Sequence, residues 1–248
     1  MQPFIIMIYS SKHNDFIKMI FSLKDKKGRD EQNLYIVEGR KMVNEAVKSH
    51  KKIKYILGTE EALEEIETQG YEVFFVTKEV FKYLSEEMTP QNVMAILERE
   101  MDLGIEPEGN YLVLDRIADP GNMGTIIRSA TAFGFKDIYL INCVDPYNGK
   151  VVRSSMSGIF FVRLHKVEES SILKYCKGTL IVADMDGESI EDLSIGGQVG
   201  LVIGNEANGV SDFLINNCNK VVSIPMNNNI ESLNAAVAAS IMMFELKN

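Results

Sequence analysis

The chain has 248 residues, enough for one large domain or two ordinary ones, and its 46% hydrophobic and 25% charged content is that of a globular protein with a sizeable core. The apolar stretch Phe4 to Tyr9 is too short to span a bilayer and lacks the marks of a secretory signal. The three cysteines are widely spaced, and no Cys/His group has metal-ligand spacing, so neither a disulfide framework nor a metal site is expected. The net charge is −9, but residues 1–55 carry +6, residues 56–109 carry −11 and residues 110–248 carry −4. Phosphate attraction is local and screened, so charge alone leaves two readings of the basic N-terminal region, a solvated helix surface or one that holds RNA within an acidic whole.

In chain order, Asn14 to Lys27 spaces Phe16, Ile17, Ile20, Phe21 and Leu23 as one helix, with Asn14 or Asp15 as its N-cap. Leu34–Val37 reads as a strand and Gly39–Ser49 as a helix. Strand Ile53–Leu57 is followed by an acidic helix, Glu60 to Thr68, then by strands Val73–Val76 and Val93–Leu97 with helix Lys78–Leu84 between them. This makes a small α/β domain over residues 1–100. Gly, Pro and charge then break the pattern, and residues 101–110 read as a linker. From 111 to 248 a second series has strands at Tyr111–Leu114, Ile138–Ile141, Phe161–Leu164, Leu180–Ala183, Val199–Ile203 and Val221–Ile224. Alternation with helices implies a largely parallel sheet covered on both faces.

Three segments of the second domain place Gly, Asn or Pro at the end of an apolar run, where open α/β sheets bind ligands. The first, Asn122 to Arg128, opens a helix after the turn Asp119-Pro-Gly-Asn122. By itself Asn122 is a helix cap and Arg128 a surface residue. The second, Gly204-Asn-Glu-Ala-Asn-Gly209, follows a buried strand, and Glu206 there reads as a first-turn carboxylate of the next helix. The third, Ile224 to Asn234, ends strand Val221–Ile224 at Pro225, and Ser232 reads as the N-cap of an Ala-rich helix. There is no GxGxxG and no GxxxxGK[ST], so a dinucleotide or ATP cradle is poorly supported.

Taken together and in this order, NMGTIIRSA, GNEANGVS and IPMNNNIESLNAAVAA resemble the three motifs of the SpoU (TrmH) branch of the SPOUT RNA methyltransferases. The stretches Asn14 to Lys18 and Val37 to Gly39 resemble the small α/β/α RNA-binding domain of its rRNA-directed members. The resemblance implies a trefoil-knotted C-terminal domain, S-adenosylmethionine as cofactor, and a homodimer with the active site at the interface. It also implies a cytoplasmic enzyme that methylates an RNA ribose 2′-hydroxyl, most naturally in 23S rRNA, without metal or membrane. By motif position, Asn122, Arg128, Glu206, Ser232 and Asn234 form the catalytic set, and Gly204, Ile224, Met226, Ser232 and Leu233 the cofactor pocket. Arg128 would act on a methyl donor held by the partner chain. Basic residues Lys24, Lys26, Lys27, Arg29, Arg40 and Lys41 would hold RNA phosphates. Asn227-Asn-Asn229 stands where the family commonly has a glycine, a turn that Asn tolerates.

Three other readings remain. A tRNA substrate is one. A non-catalytic rRNA-binding ribosome-assembly factor is another, opposed by the intact Asn122, Arg128, Glu206 and Asn234 set. An unrelated α/β nucleotide-binding enzyme is the third, opposed by the missing phosphate loops.

Overall fold

The computed structural model describes residues 8–102, 104–227 and 232–247. The start of the apolar stretch Phe4 to Tyr9 and residues 228–231 of the third segment, including Asn228 and Asn229, lie outside the described residues. The chain divides into two units, residues 1–99 with Tyr147–Arg153, and residues 100–146 with 154–248. No helix among the described residues is long and apolar enough to cross a membrane.

The first unit runs β1 (Ile8–Tyr9), α1 (Asp15–Ser22), α2 (Lys26–Gln32), β2 (Leu34–Glu38), α3 (Arg40–Lys48), β3 (Ile53–Gly58), α4 (Glu60–Leu63), β4 (Val73–Val76), α5 (Lys78–Leu84) and β5 (Val93–Glu98). Its sheet has the order β1-β4-β3-β5-β2, with β5 antiparallel to both β2 and β3 and the other pairs parallel. Ile17 and Ile20 of α1 and Val80, Phe81 and Leu84 of α5 are buried with Leu57, Met94 and Ile96 of the sheet. Asn14 is the N-cap of α1, accepting from the amides of Phe16 and Ile17.

Two helix expectations are corrected here. The single helix Asn14–Lys27 is two helices, with Leu23 closing the first and Asp25 preceding the second. Gly28 makes the corner possible, since a Cβ there would lie 2.1 Å from the Ser22 carbonyl oxygen. The acidic helix Glu60–Thr68 is only the four residues of α4. Its run of five glutamates contains no cation of its own, so no pair within the segment supports a longer helix, and Arg40 and Lys78 reach Glu65 and Glu61 from other elements.

The second unit holds β6 (Met101–Asp102), β7 (Tyr111–Asp115), α6 (Pro120–Phe133), β8 (Asp137–Ile141), the end of α7 (Gly149–Ser155), β9 (Arg163–Lys166), β10 (Thr179–Ser189), β11 (Val199–Ile203), α8 (Asp212–Asn217), β12 (Lys220–Ser223) and α9 (Ala235–Leu246). Its sheet has the order β12-β10-β11-β7-β8-β9-β6, and every described pairing is parallel. Strands β7, β8 and β11 are buried at all five positions, as a sheet covered on both faces requires. Successive strands run outward from β7 to β9, and the chain then returns to the other side of β7 with β10 and β11. That reversal is the topological switch at which open sheets bind ligands. The C-terminal ends of β7, β10, β11 and β12 lie side by side there.

The segment expected as a linker belongs to the second unit. β6 pairs with β9, the Glu108 amide donates to Asp137 at 3.0 Å, and the Asn110 side chain joins the Leu246 carbonyl to the Val199 amide. Gly and Pro mark turns in this segment, not freedom. The strand expected over Phe161–Leu164 begins only at Arg163, because Phe161 closes a 3₁₀ turn over Met156–Phe160.

Candidate active site

A pocket of about 250 Å³ opens at the switch point. Ile203, Gly204 and Glu206 line it from the end of β11, Ile224 and Met226 from the end of β12, and Ser232, Leu233 and Met242 from the approach to α9 and α9 itself. All five residues assigned from motif position to the cofactor line this one cavity. Gly204 is a steric necessity, since a Cβ there would come within 2.4 Å of the Gly209 carbonyl carbon and the Val210 amide nitrogen. The loop can double back on its strand only without a side chain at that position.

One side chain joins the three sequence segments. The Asn122 amide nitrogen Nδ2 donates to Glu206 Oε1 at 2.6 Å, and Asn122 Oδ1 accepts from Asn234 Nδ2 at 2.9 Å. Asn234 is the N-cap of α9, and its Oδ1 accepts from the amides of Ala236 at 2.9 Å and Val237 at 3.3 Å. Backbone N–H groups can only donate, so they fix the orientation of the Asn234 amide. That in turn fixes Asn122, whose remaining nitrogen must face the carboxylate. The relay therefore has one direction, from the N-terminal amides of α9 to Glu206.

The local roles differ from the sequence reading at three points. Asp119, not Asn122, is the N-cap of α6, accepting from the Asn122 backbone amide at 2.8 Å with Pro120 in the first turn. Asn122 is thereby placed inside the first turn with its side chain free for the relay. Asn234, not Ser232, is the N-cap of α9. Glu206 lies in the loop after β11, well before α8, whose cap is Ser211. Arg128 stands apart, exposed on α6, outside the pocket lining, and its side chain makes no hydrogen bond or ion pair among the described residues.

The basic set divides sharply. Arg29 is 2% exposed, and its Nη1 donates to the carbonyls of Leu23 at 2.9 Å and Lys24 at 2.7 Å. It holds the corner between α1 and α2 and is removed from the RNA-binding candidates. Lys24 is removed too, for it is half-buried and donates to the carbonyls of Tyr83 and Ser85. Burial lowers its ammonium below the usual lysine range, against the attraction of Glu86 and Glu38. Lys26 and Lys27 are exposed and paired with Asp30 and Glu31 one turn on, and Arg40 with Glu65. Exposed pairs of this kind are weak and can exchange a carboxylate for a phosphate. Lys41 is exposed and unpaired among the described residues.

The sequence reading missed Asp184 and Met185, which line the pocket because β10 continues past Ala183 to Ser189 through a register shift. It also missed Asp115 and Arg116 at the end of β7. Asp115 is fully buried, and the Arg116 guanidinium grips it through Nε and Nη2, both at 2.9 Å. Those hydrogen bonds raise the guanidinium further above its already high range. An Asp-Arg dipeptide at a strand end was the only signal, and a weak one.

Comparison with known proteins supplies an independent line. The model of the SpoU rRNA Methylase family matches residues 109–244, and that of the MRM3-like substrate binding domain matches residues 14–95. The chain is 29% identical over 244 residues to the 23S rRNA (guanosine(2553)-2′-O)-methyltransferase RlmP of Bacillus subtilis, covering 96% of this chain and 98% of that one. Among solved structures, the AdoMet-bound rRNA methyltransferase of Sinorhizobium meliloti superposes with a TM-score of 0.88 at 30% identity, over 97% of each chain. The SpoU methyltransferase AviRb of Streptomyces viridochromogenes, in complex with AdoMet, gives 0.82 at 26% identity over 94% of this chain and 96% of that one.

Proposed function

The chain belongs to the SpoU rRNA Methylase family, and on that premise we propose that it transfers a methyl group from S-adenosylmethionine to a ribose 2′-hydroxyl of 23S ribosomal RNA. The observation that carries this reading is the relay through Asn122, which ties all three sequence segments to one wall of one pocket.

The pocket suits the cofactor. Its volume is near the lower end of small-molecule sites, about 300 Å³, and Ile203, Ile224, Leu233 and Met242 give it apolar walls. Its charged lining residues are Asp184 and Glu206, both acidic, with no lysine, arginine or histidine among them. That suits a nucleoside carrying a cationic sulfonium and disfavours a polyphosphate. When bound, S-adenosylmethionine supplies an electrophilic methyl group.

The protein's own part is to position a weak nucleophile and to favour loss of its proton. Arg128 is permanently cationic and a poor proton acceptor. Its role is to stabilise negative charge developing on the ribose 2′-oxygen, with spare donors for the adjacent phosphate. Asn122 and Asn234 hold Glu206 and the start of α9 in fixed relation, and Ser232 lines the same pocket. Arg128 does not line its own chain's pocket, which supports its acting on the methyl donor of a partner subunit. Val237 and Phe244 are 47% and 50% exposed and seven residues apart on one face of α9, a face that a homodimer would cover. The trefoil knot and a cytoplasmic location belong to the same proposal.

The first unit then holds structured RNA by its phosphates, with Lys41, Lys26, Lys27 and Arg40 as the contacts. Calorimetric titration with S-adenosylmethionine, followed by transfer of labelled methyl to 23S rRNA, tests the proposal. Saturable binding and a 2′-O-methyl product support it; no binding at high-micromolar ligand contradicts it.

A further inference from the structure

Asp115 and Arg116 contribute nothing to the pocket lining, yet they touch the loop that forms its wall at several points. The buried Asp115 carboxylate accepts from the Ser211 amide at 2.8 Å, which fixes the point where the loop enters α8. Arg116 has φ of 58°, the left-handed region that a side chain with a Cβ seldom adopts without support. That conformation turns its carbonyl toward Asn205, whose Nδ2 donates to it at 2.9 Å. Asn205 Oδ1 then accepts from the amides of Ala207 at 2.9 Å and Asn208 at 3.1 Å, which shapes the turn. Asn205 and Gly209 exchange backbone hydrogen bonds, and Arg116 Nη2 reaches the Gly209 carbonyl at 3.4 Å.

We infer that Asp115 and Arg116 are positioning residues for the cofactor: they clamp the loop Gly204–Ser211 at both ends and so hold the pocket wall in its binding shape. Of that loop, Gly204, Asn205, Glu206, Ala207 and Gly209 line the pocket. Val210 anchors the loop's far end in the core, but Glu206 to Gly209 are exposed, so the order of that stretch depends on these polar contacts. The clamp acts on affinity more than on the chemical step, because Glu206, the one loop residue of the expected catalytic set, has its own separate hold through Asn122. The inference rests on S-adenosylmethionine being the pocket's ligand.

The test compares wild type with Arg116→Ala, Arg116→Gly, Arg116→Lys and Asp115→Asn. Three quantities are read: calorimetric affinity for S-adenosylmethionine, amide hydrogen exchange of Asn205 to Val210 in the cofactor-free protein, and the split between KM and kcat. Arg116→Ala loses the guanidinium and leaves a left-handed residue without the side-chain contacts that support it. Its affinity should fall about tenfold, with KM raised in step and kcat at saturating cofactor within about twofold of wild type. Loop amides should exchange faster while those of β7 and β11 do not. Arg116→Gly keeps the left-handed backbone and should fall between wild type and Arg116→Ala.

Unchanged affinity and loop exchange in Arg116→Ala, with a wild type that binds, would overturn the inference. So would a lowered melting temperature without any change at the loop, since that is a purely structural role. If Arg116→Ala or Asp115→Asn fails to fold, Arg116→Lys and Arg116→Gly carry the comparison. A wild type that binds no S-adenosylmethionine would sink the reading of the pocket, while the exchange data would still report whether the clamp orders the loop.

Discussion

Replacing Asn122 by aspartate keeps the side chain's shape and changes the role of one terminal atom. In the native protein that atom donates to Glu206 Oε1 at 2.6 Å, and the other oxygen continues to accept from Asn234. Aspartate puts a carboxylate oxygen against a carboxylate oxygen. A hydrogen bond to a charged group contributes about 1.5–3 kcal/mol. Two charges about 4 Å apart repel by about 1 kcal/mol in water-like surroundings, which suits a pair this exposed. Together the change costs about 3 kcal/mol, or roughly 100-fold in whatever step needs Glu206 fixed. The loss should depend on pH. Two carboxyl groups in contact share a proton at a higher pH than either would alone, and the shared proton restores the missing donor. Activity of Asn122→Asp relative to wild type should therefore be lowest near pH 8 and recover as the pH falls toward 5.5. Steady-state methyl transfer for both proteins across this range is the assay. A ratio near one at pH 8, or a ratio that does not rise in acid, would refute the relay as the device that fixes Glu206.

Arg128→Ala should abolish methyl transfer in single-turnover assays and leave calorimetric affinity for S-adenosylmethionine nearly intact; equal loss of both would make Arg128 structural. Arg29→Ala should lower the melting temperature without altering the affinity of the folded protein for RNA, whereas Lys41→Ala should weaken RNA binding and flatten its salt dependence, as measured by filter binding at several ionic strengths. Burial works against ionisation of Asp137, but hydrogen bonds from His165 and Arg163 outweigh it and hold the carboxyl well below its usual range. Its stabilisation is thus complete above about pH 4, where the unfolded group titrates, and is lost as the pH falls further. Thermal melts should show wild type losing stability in that acid window, and Asp137→Asn starting about 3 kcal/mol lower with a flatter acid limb.

The strands were legible because runs such as Leu112–Leu114 and Leu201–Ile203 are apolar on every residue and end at Gly, Asp or Asn. The residues assigned to the cofactor were grouped by motif order, and they line one pocket: Gly204, Ile224 and Met226 lie just past strand ends, Ser232 and Leu233 just before α9. The relay was not, because Asn122, Glu206 and Asn234 are separated by long stretches of chain and nothing local marks an amide that bridges them. Asn122 alone reads as a cap, a role that Asp119 fills, and the cap read at Ser232 is supplied by Asn234. Arg29 misled for a similar reason. Its charge argued for solvent, while the carbonyls left open at the end of α1 made an interior site more favourable. The segment 101–110 misled because composition reports turns and does not report what the backbone of those turns is bonded to.

The central claim, transfer to a ribose in 23S rRNA, is tested most directly by mapping 2′-O-methylation across the ribosomal RNA of cells with and without this protein. Loss of one 2′-O-methyl mark in 23S rRNA, restored by the wild-type gene and not by Arg128→Ala, is the expected result. An unchanged map would contradict it.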